Sequence, residues 1–539
     1  MESNNSDLRK FEKYVDEFYE EFKEVFKYDV RTILGLLLAQ YDIMIKTDNK
    51  EIGELIPQEN IYLIKGLLSG GLSHCFRWGI QSNGAKTAMP KDETAMKAIS
   101  EFLEYGAKYS VICSLISPSH SNTYKYTIDF NKQEADFRPK NPSSFAFSYF
   151  QEKIRQEIRM VFDNLPQQKF INKFCNYIYD NTKSKDLFRA IKMDEFLKGE
   201  NFKQILSLFK TSLLPTLPES TDLGGYTLKE FRIFYCVLYL IAKYDVIISE
   251  RLRVEGDFFG ILPGDFISSY EVHIESFKIV TGLEHNVVKL ITKDLTFNAD
   301  KFGSRVTVRP FYMNPKTNMI GWLPNMVLRG YPGVLIPNML FKDKKKVYDK
   351  LINKIEPSWV NAHKSYFNSV LKNKGIELSK KINFTISNKV ITPDIVLVNE
   401  SEKAILIVEY KYFVAAYSIY DVSSQKNSVI KGFTQLNNYL KLFKQEFPGY
   451  KINGILLTQN PMTTLVELDE NENVCIIDFT TMSRFINEFS NFDKIVKKFR
   501  RFFDLSNFEL EDSQFELCNW NIKTQGISPK RKDLSIYNV

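Results

Sequence analysis

Apolar residues recur at intervals of three and four through much of the first 250 positions. FEKYVDEFYEEFKEVF (11–26), VRTILGLLLAQYDIMI (30–45) and ETAMKAISEFLEYGAKYSVICSLI (93–116) each carry one apolar stripe at helical spacing, and the pattern returns over 149–162 and 168–209. Between them TYKYTIDF (123–130), followed by polar residues, alternates like a strand or hairpin. LLPTLPESTDLGGYT (213–227) holds two prolines and a glycine pair and predicts an interdomain boundary. A strongly apolar helix is expected next, from Leu228 to about Ile248. SSYEVHIESFKIVTGLEHNVVKLITKDLTF (268–297) contains two helical patterns broken at Thr281-Gly282. That spacing would suit a helix-turn-helix, whose second helix enters a DNA groove, but short helix pairs are so common that an ordinary helical hairpin is the favoured reading. RVTVRPFYMNPKTNMIGWLPNMVL (305–328) alternates like a hairpin turning at Asn314–Asn318.

From Asp343 the order becomes helix, strand, strand, strand, helix, strand. The helical stretch 343–375 is expected in two pieces, because Pro357 favours a first-turn position and a fresh start, and Gly375 ends it. IELSKKINFTI, VITPDIVLV and AILIVEYKYF follow as extended runs, then VIKGFTQLNNYLKLFKQEF as a helix and INGILLTQN as a strand. The chain is therefore read as an α+β multidomain protein. A mainly helical region over 1–215, for recognition or partner binding, precedes an α/β middle region over 216–342. An α/β core over 343–490 follows, and a basic extension over 491–539 closes the chain.

Composition narrows this picture only a little. A chain of 539 residues, 44% hydrophobic and 25% charged, fills two to four ordered domains. Its net charge of +7, from 72 basic and 65 acidic residues, tolerates a polyanionic partner without demanding one. Six cysteines lie scattered with no zinc-finger or CxxC spacing, the usage of reduced core residues in a cytosolic protein. The polar, acidic start is unlike a signal peptide, and the longest apolar stretches fall well short of the roughly 18–20 residues a bilayer needs. A cytoplasmic location with no membrane partner is expected.

The chemistry concentrates in one hairpin. If the strands close symmetrically about Ser401-Glu402, Asp394 faces Glu409. Alternation puts Glu409 and Lys411 on one face and Val408 and Tyr410 on the other. Two carboxylates and an amine then meet at the end of an apolar sheet. Like charges so placed are costly unless a cation joins them, and a hard ion such as Mg²⁺, with oxygen ligands and retained waters, resolves the conflict. Such an ion activates water toward phosphorus, with Lys411 stabilising the developing charge. Other [DE]xK strings begin at Glu21, Asp48 and Asp343, but none sits within a run like ILIVEYKYF. The competing structural account is a solvated hairpin end with a Glu–Lys pair.

ITPDIVLV and LIVEYK together resemble the motif of the PD-(D/E)XK nuclease superfamily, with Pro393-Asp394 and Glu409-Tyr410-Lys411 matching its two halves. The resemblance covers about 150 residues and implies a core of helix, sheet and second helix, a Mg²⁺ cofactor (Mn²⁺ in its place) and phosphodiester hydrolysis. In GFTQLNNYL, Gln435 and Tyr439 resemble the QxxxY pair of the RecB-like branch, where the pair orients the site and contacts nucleic acid; a half-buried helix face accounts for them equally. The family often has a further acid on its first helix, for which Glu356 is the candidate metal ligand and Glu377 a competitor. Some relatives carry a four-cysteine iron–sulfur cluster, and here only Cys475 and Cys518 lie nearby.

Basic clusters flank this core at Lys342 and Lys344–Lys346, at Lys497, Lys498, Arg500 and Arg501, and at Lys530–Lys532. Each suits phosphate contact, and each taken alone is also an ordinary solvated face. His363, the histidine nearest the chemistry, is expected to have a packing or surface role rather than a catalytic one. The expectation is a Mg²⁺-dependent nuclease acting on DNA in preference to RNA. By analogy with nucleases fused to large regions of other fold, it belongs in restriction or antiviral defence, with a protein partner or a second copy engaged through the N-terminal region. The contrasting expectation is a nucleic-acid-binding or scaffold protein that keeps the nuclease fold without turnover.

Overall fold

The computed structural model describes residues 2–28, 33, 36–37, 61–81, 93–120, 124–140, 165–184, 187–254, 266–300, 308–314, 318–322, 324–329, 336–337, 339–340, 343–379, 384–386, 389–414, 419–459, 471–489, 491–501 and 508–529. Nearly all of 30–45 and all of 149–162, both expected helical, lie outside these residues. The described chain is mixed helix and sheet, with several separate sheets.

Helices α1 (Glu2–Glu17), α2 (Ile61–Gln81) and α3 (Glu93–His120) precede the hairpin β1 (Tyr124–Asp129) and β2 (Glu134–Pro139). Next come α4 (Pro166–Thr182), α5 (Glu200–Ser212) and the long α6 (Leu228–Val254). The stretch 213–227, expected as an interdomain boundary, is packed against the residues on both sides of it. Leu213, Leu214, Leu217, Leu223 and Tyr226 are buried in one core that runs from Ile171 to Phe499, across 215 and 342 alike. The buried Arg232 holds the turn by donating to the Leu213 carbonyl at 2.6 Å. Proline and glycine bend the path here, but the leucines between them decide where it packs.

Strand β3 (Phe266–Ser269) leads into α7 (Tyr270–Thr281) and α8 (His285–Leu295), and then β4 (Phe311–Asn314) and β5 (Met319–Trp322) form the expected hairpin. Gly282 ends α7 in the left-handed region at φ +67°, where a side chain would be strained.

Helix α9 (Lys345–Leu371) runs unbroken through Pro357, where two helices were expected. Pro357 forfeits one amide bond, to the Asn353 carbonyl, and is itself exposed. Ile355 and Val360 on the adjoining turns are buried, and that packing carries the helix past the missing bond. After it come β6 (Ile376–Leu378), a separate small hairpin of β7 (Phe384–Ile386) and β8 (Lys389–Ile391), β9 (Ile395–Asn399), β10 (Ala404–Lys411), α10 (Ile419–Glu446), β11 (Lys451–Thr458) and β12 (Val474–Asp478). The main sheet has five strands in the order β12-β11-β10-β9-β6. Strand β10 is its centre, antiparallel to β9 and parallel to β11, and every residue from Ala404 to Tyr410 is buried. Helix α10 returns the chain between the two parallel strands. It lies so close to β11 that a Cβ on Gly454 would stand 2.8 Å from Leu440 and 2.9 Å from Leu436.

The chain continues through the short α11 (Phe479–Arg484) and α12 (Phe492–Arg501) to a final hairpin, β13 (Phe508–Leu517) and β14 (Trp520–Pro529). Within the stretch read as a basic extension, this hairpin is part of a sheet. Strand β14 pairs in parallel with β2, giving a second sheet in the order β1-β2-β14-β13. Trp520 meets Phe11 of α1 at 4.8 Å between ring centroids, and Phe515, Leu517 and Ile522 complete a second core otherwise built chiefly from residues 8–137. Among the described residues no helix is long and apolar enough to cross a membrane.

Candidate active site

The β9–β10 ladder pairs Ala404 with Asn399 and Val408 with Ile395, the register expected of a hairpin closing about Ser401-Glu402. Lys403 turns the chain at positive φ (45°), and Asn399 Oδ1 accepts from the Glu402 amide. One step past the ladder's end, Asp394 Oδ2 accepts the Tyr410 amide hydrogen at 2.9 Å. That bond places Asp394 beside Glu409.

Glu409 is almost wholly buried, and its Oε1 accepts from Lys411 Nζ at 2.9 Å. Burial, reinforced by the Asp394 charge, raises its carboxyl to about 7 despite the lysine. Asp394 is raised as well, chiefly by burial, against the pull of the Tyr410 amide, Lys411 and Lys364. Burial alone would lower Lys411, but Glu409, Glu356 and Asp394 outweigh it and hold the amine above its ordinary value. The site thus carries more negative charge than its lysine neutralises.

Helix α9 supplies two further groups. Glu356 Oε1 accepts the Tyr412 amide hydrogen at 3.2 Å, which brings its carboxylate to the end of β10, and burial raises its pKa. Glu377, the competing acid, is exposed on edge strand β6. Lys364 stands about two turns along α9 from Glu356, near enough to Asp394 to oppose its upward shift. Sequence reasoning missed Lys364, although its eight-residue spacing from Glu356 sets both on one helical face.

Helix α10 faces the site from the other side of the sheet. Tyr439 is buried, and its hydroxyl donates to the Thr392 carbonyl at 3.2 Å, two residues before Asp394. Its pKa is raised by burial and by Glu409 and Asp394. Gln435, one turn earlier on α10, is exposed and no bond joins it to the acids among the described residues. His363 packs against the opposite face of β10, its ring 5.1 Å from Tyr410 and 4.0 Å from Phe479. Burial lowers its pKa to about 4, so it is a neutral core group.

Among the described residues of the flanking basic clusters, four are engaged within the molecule. Lys344 pairs with Asp294 at 2.6 Å, Lys498 with Glu488 at 2.8 Å and Lys497 with Asp493 at 3.0 Å, while Arg500 donates to the Val474 carbonyl at 2.6 Å. Lys345, Lys346 and Arg501 are exposed, and Lys342 and 530–532 lie outside the described residues.

No three His, Cys, Asp or Glu side chains among the described residues form a ready metal cage. The donors present still fit a hard divalent ion, which binds through one or two carboxylates and keeps its waters. Asp394 and Glu409 would be that pair, since burial, with the neighbouring Asp394 charge, raises Glu409 and a cation would offset both. Comparison with known proteins adds no relative: no family model, no curated protein and no solved structure matches this chain.

Proposed function

We propose that the chain is a divalent-metal-dependent nuclease of the PD-(D/E)XK type that hydrolyses DNA, with Asp394, Glu409 and Lys411 at its centre. The observation that carries this reading is the buried Glu409 carboxyl, raised to about 7 beside Asp394 with Lys411 at 2.9 Å. A site of this kind is expensive to maintain for structure alone, and perturbed acids beside a cation mark reactive centres. A bound Mg²⁺ or Mn²⁺ supplies Lewis acidity toward the phosphoryl group and the attacking water. Asp394 and Glu409 hold the ion, and Glu356 adds negative charge beside it. Lys411, its ammonium kept protonated by three carboxylates, stabilises the charge that gathers on the phosphoryl oxygens. Tyr439 fixes the backbone that presents Asp394. A role in restriction or antiviral defence suits this reading by analogy only.

A second reading, nucleic-acid binding without turnover, draws on the Glu409–Lys411 ion pair, which partly satisfies the site with no metal. One experiment separates the two. Plasmid, linear and single-stranded DNA and RNA are incubated with the protein and Mg²⁺ or Mn²⁺, beside Asp394→Ala and Lys411→Ala. Cleavage lost on chelation and reduced at least about 100-fold in both variants is expected. Equal cleavage by all three proteins sinks the site assignment. Cleavage by none, with DNA still bound, favours the second reading.

A further inference from the structure

The stretch 228–322 holds an arrangement that the reaction leaves unused. Its elements run helix, strand, helix, helix, strand, strand (α6, β3, α7, α8, β4, β5), and the small sheet is ordered β3-β5-β4. The first strand therefore pairs with the last, and the β4–β5 hairpin follows α8, with Phe311, Ile320 and Trp322 anchored in the core. The Phe297 amide donates to the Phe311 carbonyl at 2.6 Å and ties the end of α8 to that hairpin. Helix α6 lies behind, with Phe234 stacked on Phe277 of α7 at 4.8 Å.

The join between α7 and α8 is three residues, Gly282 to Glu284, with the glycine left-handed. His285 Nδ1 lies 2.7 Å from Glu275 Oε1 and clamps the two helices across the turn. Val288, Ile291 and Leu295 of α8 are buried, whereas Asn286, Lys289 and Lys293 are exposed at spacings of three and four. Neither lysine has an acidic partner among the described residues, and Glu275, the acid facing α8, is engaged by His285 and Lys278.

We propose that α8 is the groove-reading helix of a winged helix-turn-helix and that its exposed face binds duplex DNA. A three-residue turn containing glycine, a second helix with a polar outer face and a flanking β-hairpin are the parts this docking mode needs. A helix about 10–12 Å across enters a major groove about 12 Å wide. Lys289 and Lys293 then reach phosphates. Asn286, in the first turn, is placed where such helices touch base edges, and its amide matches the donor and acceptor of adenine. The inference stands on this surface and not on catalysis at Asp394.

The test uses the full chain carrying Asp394→Ala, in chelator, so that no cleavage confuses binding. Fluorescence anisotropy follows a labelled duplex of about 30 base pairs, one strand of it alone, and an RNA duplex, between about 50 and 200 mM salt. The DNA duplex is expected to bind tightest. Lys289→Ala with Lys293→Ala should weaken it roughly tenfold and lower the log–log salt slope by about 2, whereas Asn286→Ala should keep the slope and blunt preference among duplex sequences. Both lysines are exposed, so circular dichroism should stay native, and Lys289→Glu with Lys293→Glu should abolish binding. Unchanged affinity and slope in the lysine variants overturn the proposal, as does a parent that ignores duplex DNA. So does self-association through the exposed Val272 and Ile279 of α7 with DNA affinity untouched, which would make this a protein-docking face. A chain that binds through α8 but never cleaves would defeat the nuclease reading alone.

Discussion

The Tyr439 hydroxyl is bonded to the acids' backbone: it holds the Thr392 carbonyl, and Thr392 leads through Pro393 to Asp394. Tyr439→Phe keeps the ring and its packing and removes one bond, so stability should fall by about 1 kcal/mol. Turnover should fall roughly tenfold with little change in KM, because a displaced Asp394 costs the transition state more than substrate binding. Unchanged kcat would detach this hydroxyl from the site. His273, on α7, is a different case. It is buried against Phe277 and Phe311, and burial lowers its pKa from 6.5 to about 3. Between those values the unfolded chain binds the proton and the folded chain does not. The contribution of His273 is therefore whole above pH 6.5 and drains away as pH falls, by about 2 kcal/mol at pH 5. His363, lowered to about 4, acts in the same direction, so the measurement is a difference: urea titrations of wild type and His273→Phe at pH 7 and pH 5. Equal losses in the two proteins would contradict the assignment.

At the scale of the element, the position of the turn at Ser401-Glu402 was enough to read the register that sets Asp394 beside Glu409, because the loop of a hairpin fixes which residues pair. The Thr281-Gly282 break was legible for a similar reason, since only glycine takes that backbone cheaply. Other features depend on how elements dock, and local pattern is silent on docking. Pro357 reads as a helix start until the buried flanks of α9 are known, and the Glu356 contact with the Tyr412 amide joins a helix to a strand end 56 residues away. The β4–β5 hairpin was read from its alternation, but β3 has four residues, too few for a period-two signal, so its pairing with β5 stayed unseen. FELEDSQFEL, the sequence of β13, is polar on both faces for most of its length and reads as a tail until β14 is seen beside β2.

The whole molecule is organised around two cores, and the second is assembled from both ends of the described chain. Removing 508–529 should leave the β9–β10 sheet intact and unfold the region around α1–α3, which loses Phe515, Leu517, Trp520 and Ile522 together. Trp520→Ala alone should cost about 3–5 kcal/mol. Hydrogen exchange resolves the two cores, and undiminished protection of α1 and α3 after the deletion would refute the dependence. Strand β14's place beside β2 also bears on how the protein is made. A ribosome delivers β2 about 380 residues before the strand that flanks it, which at about 5–20 residues per second is an interval of tens of seconds. Throughout that time the earlier-made of the two cores displays an open sheet edge and an unsealed cluster of aromatic rings, while the larger core, complete by residue 499, closes ahead of it. The core begun first is thus the last to mature. A chain cut off between 501 and 508 would keep the larger core folded and leave the region around α1–α3 prey for proteases.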